Sequence, residues 1–467
     1  MSSEPQPGGR RRRLRELRQR LRRSELGGLA HDTGFVAVWQ GSVAAAGLAQ
    51  IVLVTHAFGI DGYGRLAVVI AFVDLVGGCF NLRVGYAATT FGTRWLLSDP
   101  RVAVGVFQYS LLIDLASVLV ALPLLAVLAF AIGPSTAGSG STLLIIVFAF
   151  SLVGPVLSRT SFVVLRLLDR FALIATYQWV LEFGRIALIV IAIELFGSIL
   201  AVIVAITVAT MIAGVVNIVV SARVFRRTHG LSLIGSQLGT LDGAERKGMR
   251  TTMFHTLVIQ YGRVVQTQLP TVLLGALAGT TQAGIYKVGT ASVAIIGKLI
   301  QPASNALLPR MSRLWAAGRI FDLRKLVSRA SAISAVVMAV AFASIVIFQD
   351  PILRFLGGGP EGEAAGTVLI LGTASQALYG LVFWHSTILF AAQRTAAMSA
   401  VSAAAPVVHT LAMLALVPLL QATGAAIALL LSQGVITISW SLLALRAIRS
   451  ATDTSAGGPP AVPATLV

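Results

Sequence analysis

Charge is scarce in this chain. Charged side chains make up 12% of its 467 residues, about half the share of an ordinary soluble domain. With 56% hydrophobic residues and a mean hydropathy of +0.85, a water-soluble globular architecture is excluded. Acidic residues are scarcer still, 18 against 36 basic ones, for a formal net charge of +18. In a soluble protein that balance would suggest nucleic acid. Here the basic residues fall between apolar segments, on alternate connections, which is a topology signal and argues against nucleic-acid binding. The one cysteine, Cys79, lies in an apolar run and excludes an internal disulfide or a cysteine metal cluster. His56, His255, His385 and His409 have no metal-like spacing, and no Gly-x-x-x-x-Gly-Lys-Ser/Thr phosphate loop occurs. No cofactor is expected. The first apolar stretch begins only after residue 32 and lacks a small-residue cleavage site, so it reads as a retained helix.

A helix needs about 20 mostly apolar residues to cross the hydrocarbon core. Twelve segments meet that length: 34–58, 63–83, 104–132, 142–165, 173–196, 198–222, 252–278, 284–308, 327–348, 365–390, 397–419 and 422–445. The fifth and sixth are divided only at Phe196-Gly197-Ser198. The fold class expected is an all-α integral membrane protein of about twelve transmembrane helices. Nine arginines crowd Arg10 to Arg23, and further basic residues mark every second connection, including Arg94 and Arg101, Arg159 to Arg170, Arg223 to Arg250, Arg310 to Arg329, Arg394, and Arg446 with Arg449. The positive-inside rule then places both termini in the cytoplasm of a cell-membrane protein.

The chain divides into a basic N-terminal segment (1–32), a six-helix lobe (33–225), a linker (226–250), a second six-helix lobe (251–446) and a tail (447–467) expected to be disordered. Six is even, so the lobes enter the membrane in the same sense and relate by a pseudo-twofold along the membrane normal. The turn Phe58-Gly59-Ile60-Asp61-Gly62-Tyr63-Gly64 is echoed by Ala278-Gly279-Thr280-Thr281-Gln282-Ala283-Gly284. A cleft between two such lobes is where transporters place substrate. Leu14, Leu17 and Leu21 recur at helical spacing among the N-terminal arginines, a pattern suited to an amphipathic helix on an anionic leaflet, although orientation alone is the preferred account of those charges.

An ionisable group at mid-bilayer costs about 2.5–3.5 kcal/mol on insertion scales, so each asks for a partner or a watery cavity. The seventh segment carries Thr252, Thr256, Gln260, Arg263 and Thr267 on one face, and the eighth carries Lys287, Lys298, Gln301 and Asn305 on one face. Both stripes are expected to line one cavity. Lys287, close to the outer surface, has the alternative of snorkelling to it. In the first half stand Asp74, Asn81 and Arg83, then Asp114, then Glu182, Arg185 and Glu194. Glu182 and Arg185 are three apart and suited to pairing with each other. Asp74, Asp114 and Glu182 are candidates for proton or sodium coupling, or for neutralising a neighbouring cation.

Gly59-Ile60-Asp61-Gly62-Tyr63-Gly64, Ala283-Gly284-Ile285-Tyr286, Leu308-Pro309-Arg310-Met311-Ser312 to Leu323, Arg354-Phe355-Leu356-Gly357 and Thr423-Gly424-Ala425-Ala426 occur in an order and spacing that resembles the polysaccharide and O-antigen flippases of the multidrug/oligosaccharidyl-lipid/polysaccharide (MOP) exporter superfamily. The resemblance implies a V-shaped bundle of two six-helix lobes opening alternately to each side. It implies as cargo a polyprenyl-diphosphate-linked oligosaccharide, moved to the outer leaflet. A diphosphate calls for cations, which assigns it Arg263, Lys298, Arg185, Arg83 and Lys287; the sugar would meet Gln260, Thr267, Gln301 and Asn305. The acidic residues equally suit a cation-coupled multidrug exporter of the same superfamily, though a drug cavity would be more aromatic than a chain with 7% aromatics offers. A membrane-embedded polymerase or glycosyltransferase would need catalytic groups on a sizeable loop. The central inner connection has only Asp242 and Glu245 as carboxylates, so an enzyme is not expected.

Overall fold

The computed structural model describes residues 8–82, 84–233, 240–357, 362–392 and 394–456. It is all-α, with no strand among those residues. The helices are α1 (Gly8–Cys79), α2 (Val84–Ser98), α3 (Pro100–Ala137), α4 (Ser141–Ala149), α5 (Val153–Leu167), α6 (Phe171–Phe196), α7 (Ile199–His229), α8 (Gly243–Ala278), α9 (Thr280–Ala316), α10 (Ile320–Ile347), α11 (Gln349–Phe355), α12 (Gly362–Leu381), α13 (Trp384–Ala391) and α14 (Thr395–Ala456). Gly59 breaks α1 and Gln421 breaks α14 into two limbs each. A 3-10 turn at Phe150–Leu152 joins α4 to α5 as one span. Counting limbs, and joining α12 with α13, twelve spanning segments run through the described residues. Seven stretches are long and apolar enough to be recognised as spans on hydropathy alone, two of them containing two limbs each; α6, α8 and α9 complete the set.

The ends are set by local chemistry. Gly197 closes α6 in the left-handed conformation, and Ser198 caps α7 by accepting from the Ala201 amide at 3.2 Å. The division expected at Phe196-Gly197-Ser198 therefore stands. Asp99 caps α3 from its side chain, with Pro100 in the first turn. The arginine-rich stretch is helical from Gly8, but it runs into the first span with no non-helical residue before Gly59.

Corresponding turns mark the two halves. Gly59 and Gly279, 220 positions apart, share nearly the same dihedrals, φ 72 and ψ 180 against φ 89 and ψ 169. Only a residue without a Cβ adopts them freely. Gly138 and Gly357, then Gly197 and Gln421, repeat positive φ at 219 and 224 positions. Every odd connection of the first half thus has a counterpart in the second, as a pseudo-twofold requires.

One expectation changes. The second span ends at Cys79, where 3-10 bonds from Phe80 to Gly77 and from Asn81 to Gly78 tighten the helix. The following residues are not a plain inner connection: Val84–Ser98 form the helix α2. Shifted by 220 positions, α2 corresponds to the inner end of α9, which continues unbroken for 37 residues. So α2 is the bent inner arm of the second span. Its buried face, Val84, Ala87 and Ala88, packs with Val104, Phe107, Val163, Phe225 and Met249 in a separate apolar cluster, while the main core runs through both halves.

Candidate functional site at the seam between the halves

The two outer turns that resemble each other in sequence are packed against each other in space. A Cβ on Gly64 would lie 1.9 Å from the Thr280 carbonyl oxygen, and one on Gly284 would lie 2.3 Å from that of Ile60. Because position 60 corresponds to 280 and 64 to 284, these contacts are reciprocal, and the pseudo-twofold axis passes between them. Thr280 and Thr281 donate to Asp61 Oδ1 at 2.6 and 2.8 Å. Thr55 donates to the Leu356 carbonyl at 2.7 Å, with Gly357 seated against Thr55 and His56. The ends of the halves that the positive-inside rule makes outer are closed on each other.

Inward from that closure, the second limb of α1 and α8 run antiparallel. Val68 meets Gly275, Asp74 meets Gln268, Gly78 meets Val264, and Cys79 meets Tyr261. Small residues at these crossings let the backbones approach closely. Beyond the membrane-spanning part, Trp95 of α2 donates its indole N–H to Glu245, Phe91 lies against Gly248, and Arg250 donates to the Tyr109 hydroxyl at 2.8 Å. Asp242 caps α8 through the Glu245 amide at 2.7 Å.

Asp74 sits about 21 Å along its limb from Ile60. Gln268 Nε2 donates to its Oδ2 at 3.2 Å, and its charge interacts with that of Lys287 on α9. Lys287 thus lies near enough to an aspartate of the opposite half for their charges to interact, although the two do not form an ion pair. Arg263 lies about 22 Å along α8 from the outer end and is exposed, as is Thr267 one turn on. It stands near Tyr379 of α12. Gly262 of the same helix faces Ser402 and Pro406 of α14, and Val264 faces the first half, so Arg263 occupies the side of α8 between these packings.

Other charges are committed locally. Arg185 forms an ion pair with Glu182 at 2.7 Å and donates to Gln50 of α1 at 2.8 Å. Asp114 is fully buried and pairs through Oδ1 with Arg159 of α5 at 3.4 Å; its Oδ2 has no hydrogen-bond partner among the described residues. Asp74, Asp114 and Glu182, all coupling candidates by sequence, thus stand in three separate places.

A sequence model described as "Polysaccharide biosynthesis protein" matches residues 29–315, well over half of the chain. The chain belongs to the polysaccharide biosynthesis protein family. No protein of curated function matches it. Its fold is that of the MOP exporters. An inward-facing multidrug resistance MATE family transporter of that superfamily superposes with a TM-score of 0.66 at 14% identity, covering 88% of this chain and 95% of that one. The lipid II flippase MurJ in an inward closed conformation gives 0.64 at 13% identity, over 92% and 93%. The Vibrio cholerae MATE transporter VcmN gives 0.61 at 16% identity, over 91% and 97%. These likenesses establish the fold, and the resemblance drawn from the sequence motifs holds.

In this polysaccharide-family protein, Arg83 and the side chains of Gln260, Lys298, Gln301 and Asn305 lie outside the described residues. Among those described, no cluster of three metal-ligating side chains forms. Sequence reading missed a buried polar relay in the first half: Gln178 donates to Asn217 at 3.0 Å, Asn217 to Ser158 at 2.9 Å, and Ser158 to the Gly154 carbonyl at 2.9 Å. It joins α6, α7 and α5. Asn217, a polar side chain in the apolar run of α7, was its one sequence signal, since such a group in lipid needs an interhelical partner.

Proposed function

We propose that this protein translocates a polyprenyl-diphosphate-linked oligosaccharide from the inner to the outer leaflet of the cell membrane by alternating access, for a cell-surface polysaccharide such as O-antigen. The observation that carries the reading is Arg263: an exposed guanidinium at bilayer depth, on the helix that borders both halves, with Thr267 beside it. A cation held there needs an anion, and a guanidinium fork matches phosphate oxygens in pairs. Lys298 and Arg83 complete the diphosphate site in this proposal, with Gln260, Gln301 and Asn305 on the sugar. The lobes are 33–225 and 251–446, joined by 226–250, with both termini cytoplasmic and the arginine-rich N-terminal helix near anionic lipid. The protein is a transporter and not an enzyme.

Lys287 has a second role in this scheme. Its charge lies near that of Asp74 across the seam, so an anionic cargo reaching Lys287 competes with that attraction. A proton or sodium ion at Asp74 would weaken the same attraction from the other side. The committed ion pair Glu182–Arg185, tied to Gln50, fits packing of α6 on α1 better than cargo binding.

The test is Arg263→Gln and Lys298→Gln, each assayed for surface glycan and for membrane insertion. Lost export with normal insertion is expected. Normal surface polysaccharide in both variants overturns the proposal.

A further inference from the structure

Arg159 reads in the sequence as one of the basic residues of an inner connection, but it stands inside a span. The helices α4 and α5 form one crossing from Ser141 to Leu167. At about 1.5 Å per residue, Arg159 lies about 27 Å along it, within a hydrocarbon core of about 30 Å. Its counter-ion Asp114 is fully buried, yet the pair is loosely made. A single contact joins them, from Nη1 to Oδ1 at 3.4 Å, longer than the about 2.7–2.9 Å of a charge-assisted bond. Arg185 and Glu182, by contrast, close to 2.7 Å. Asp114 Oδ2 has no partner among the described residues, and the Arg159 side chain keeps 28% exposure. Asp114 thus holds the guanidinium from behind by one nitrogen and leaves Nε and Nη2 unused by the carboxylate.

That exposure opens toward the cleft. Leu152, Arg159 and Arg166 recur every seven residues on one side of α5. Leu152 lies against Gly77 of the second span, and Arg166 stands near Tyr86 of α2. Between Gly77 and Tyr86 the second span loses its helix, at residues 80–82. Arg159 is therefore level with a gap in the element that would otherwise screen it. Beyond the gap runs α8. Gly78 meets Val264 and Cys79 meets Tyr261, which sets the gap within about one helical turn of Arg263 in depth. The pseudo-twofold agrees. Asp114 and Arg159 correspond to Ser334 and Gly380, 220 and 221 positions on, and these also meet, Ser334 donating to the Gly380 carbonyl at 2.5 Å. Tyr379, next to Gly380, stands near Arg263, so this position borders the cleft in the second half as well.

We infer that Arg159 is a phosphate ligand of the first half, presented to the cleft through the break in the second span, with Asp114 as its positioning residue. The inference rests on the diphosphate-linked cargo proposed above and gives that cargo a ligand on α5. A guanidinium fixed by a carboxylate behind it keeps N–H groups for phosphate oxygens in front. Orientation of the chain by positive charge is a property of residues outside the hydrocarbon core and does not account for an arginine at this depth.

The experiment is calorimetric titration of the purified full chain with farnesyl diphosphate as the probe, alongside the melting temperature of each variant. Arg159→Met alone would strand Asp114, so the cation is removed together with its partner, as Arg159→Met with Asp114→Asn. That double variant is expected to bind the probe about 10- to 150-fold more weakly while melting close to the wild type. Arg159→Lys, which keeps the charge and loses the fork, should fall between the two. Asp114→Asn alone should weaken the probe without lowering the melting temperature, and wild-type affinity in that variant would remove Asp114 from the positioning role. Wild-type affinity in the double variant, with loss in Arg263→Gln, overturns the inference and spares the transport reading. Wild-type affinity in both removes both. Displacement of the probe by phosphatidylglycerol at equal concentration would assign the guanidinium to bulk lipid and overturn the inference too.

Discussion

Replacing Gly64 with alanine is the most direct perturbation of the outer closure. The added Cβ would stand 1.9 Å from the Thr280 carbonyl oxygen and 2.9 Å from the Gly284 nitrogen, both backbone atoms, whereas real Cβ contacts essentially never fall below 3.0 Å. No side chain can rotate away, so the two helices must separate by about an ångström, from 1.9 to 3.0 Å, or the seam must open. Overpacking of this kind costs about 1–3 kcal/mol. Paid only when the outer ends are together, it shifts the closed-to-open ratio by about 5- to 150-fold. The assay uses Ala283→Cys, fully buried in the seam, in a Cys79→Ser background, with a membrane-impermeant maleimide. Labelling in proportion to the open fraction should rise by that factor when Gly64→Ala is added. Gly47→Ala, whose Cβ would meet nothing within 4 Å, should leave labelling unchanged. An unaltered rate for Gly64→Ala in a monodisperse, folded variant would refute the claim that this crossing is the outer gate.

Asp74→Lys or Lys287→Asp alone should abolish glycan export by setting like charges across the seam, and the double exchange should restore part of it; export by either single variant above that of the double would remove the pair from the mechanism. Arg159→Met should lower thermal stability towards the lower end of the about 3–5 kcal/mol seen when a buried ion is left without its partner, since Arg159 is 28% exposed. Adding Asp114→Asn should recover most of that loss in a melting assay, and no recovery would mean that packing of the arginine stem is the larger effect. Asn217→Leu strands Gln178 and Ser158, and a fall of about 1–3 kcal/mol is expected; unchanged melting would show that the relay carries no weight.

Much of the fold was legible because the bilayer makes it so. Span length, alternate basic connections and the Gly197-Ser198 punctuation are local signals, and each has its cause within a few residues. The repeat was legible at Gly59 and Gly279 because both turns need a residue without a Cβ. What escaped was pairing across distance. Nothing near Asp74 in the sequence indicates that Gln268, 194 positions away, donates to it, or that the charge of Lys287 lies near. The helix α2 escaped too: Tyr86, Thr89, Thr90 and Thr93 stand on one exposed side of it, with Ala87, Ala88 and Gly92 buried on the other. A helix outside the hydrocarbon core carries no long apolar run, so hydropathy passes over it.

The break after Cys79 makes the two halves unequal in a way that bears on movement. The counterpart α9 is one helix through its span and its inner end. In the second span the helix ends at Cys79 and α2 begins at Val84, with residues 80–82 between them as turn and irregular backbone. Across that joint lies α8, one helix of 36 residues, in contact with the outer limb through Gln268 and Val264 and with the inner arm through Glu245 and Gly248. If the outer limb leaves α8 when the outer end opens, α2 can keep its contacts, because the joint between them need not transmit the rotation. The expectation is a hinge in the half that carries Asp74, and spin-label distances across this break that stay fixed between outer-open and outer-closed states would refute it.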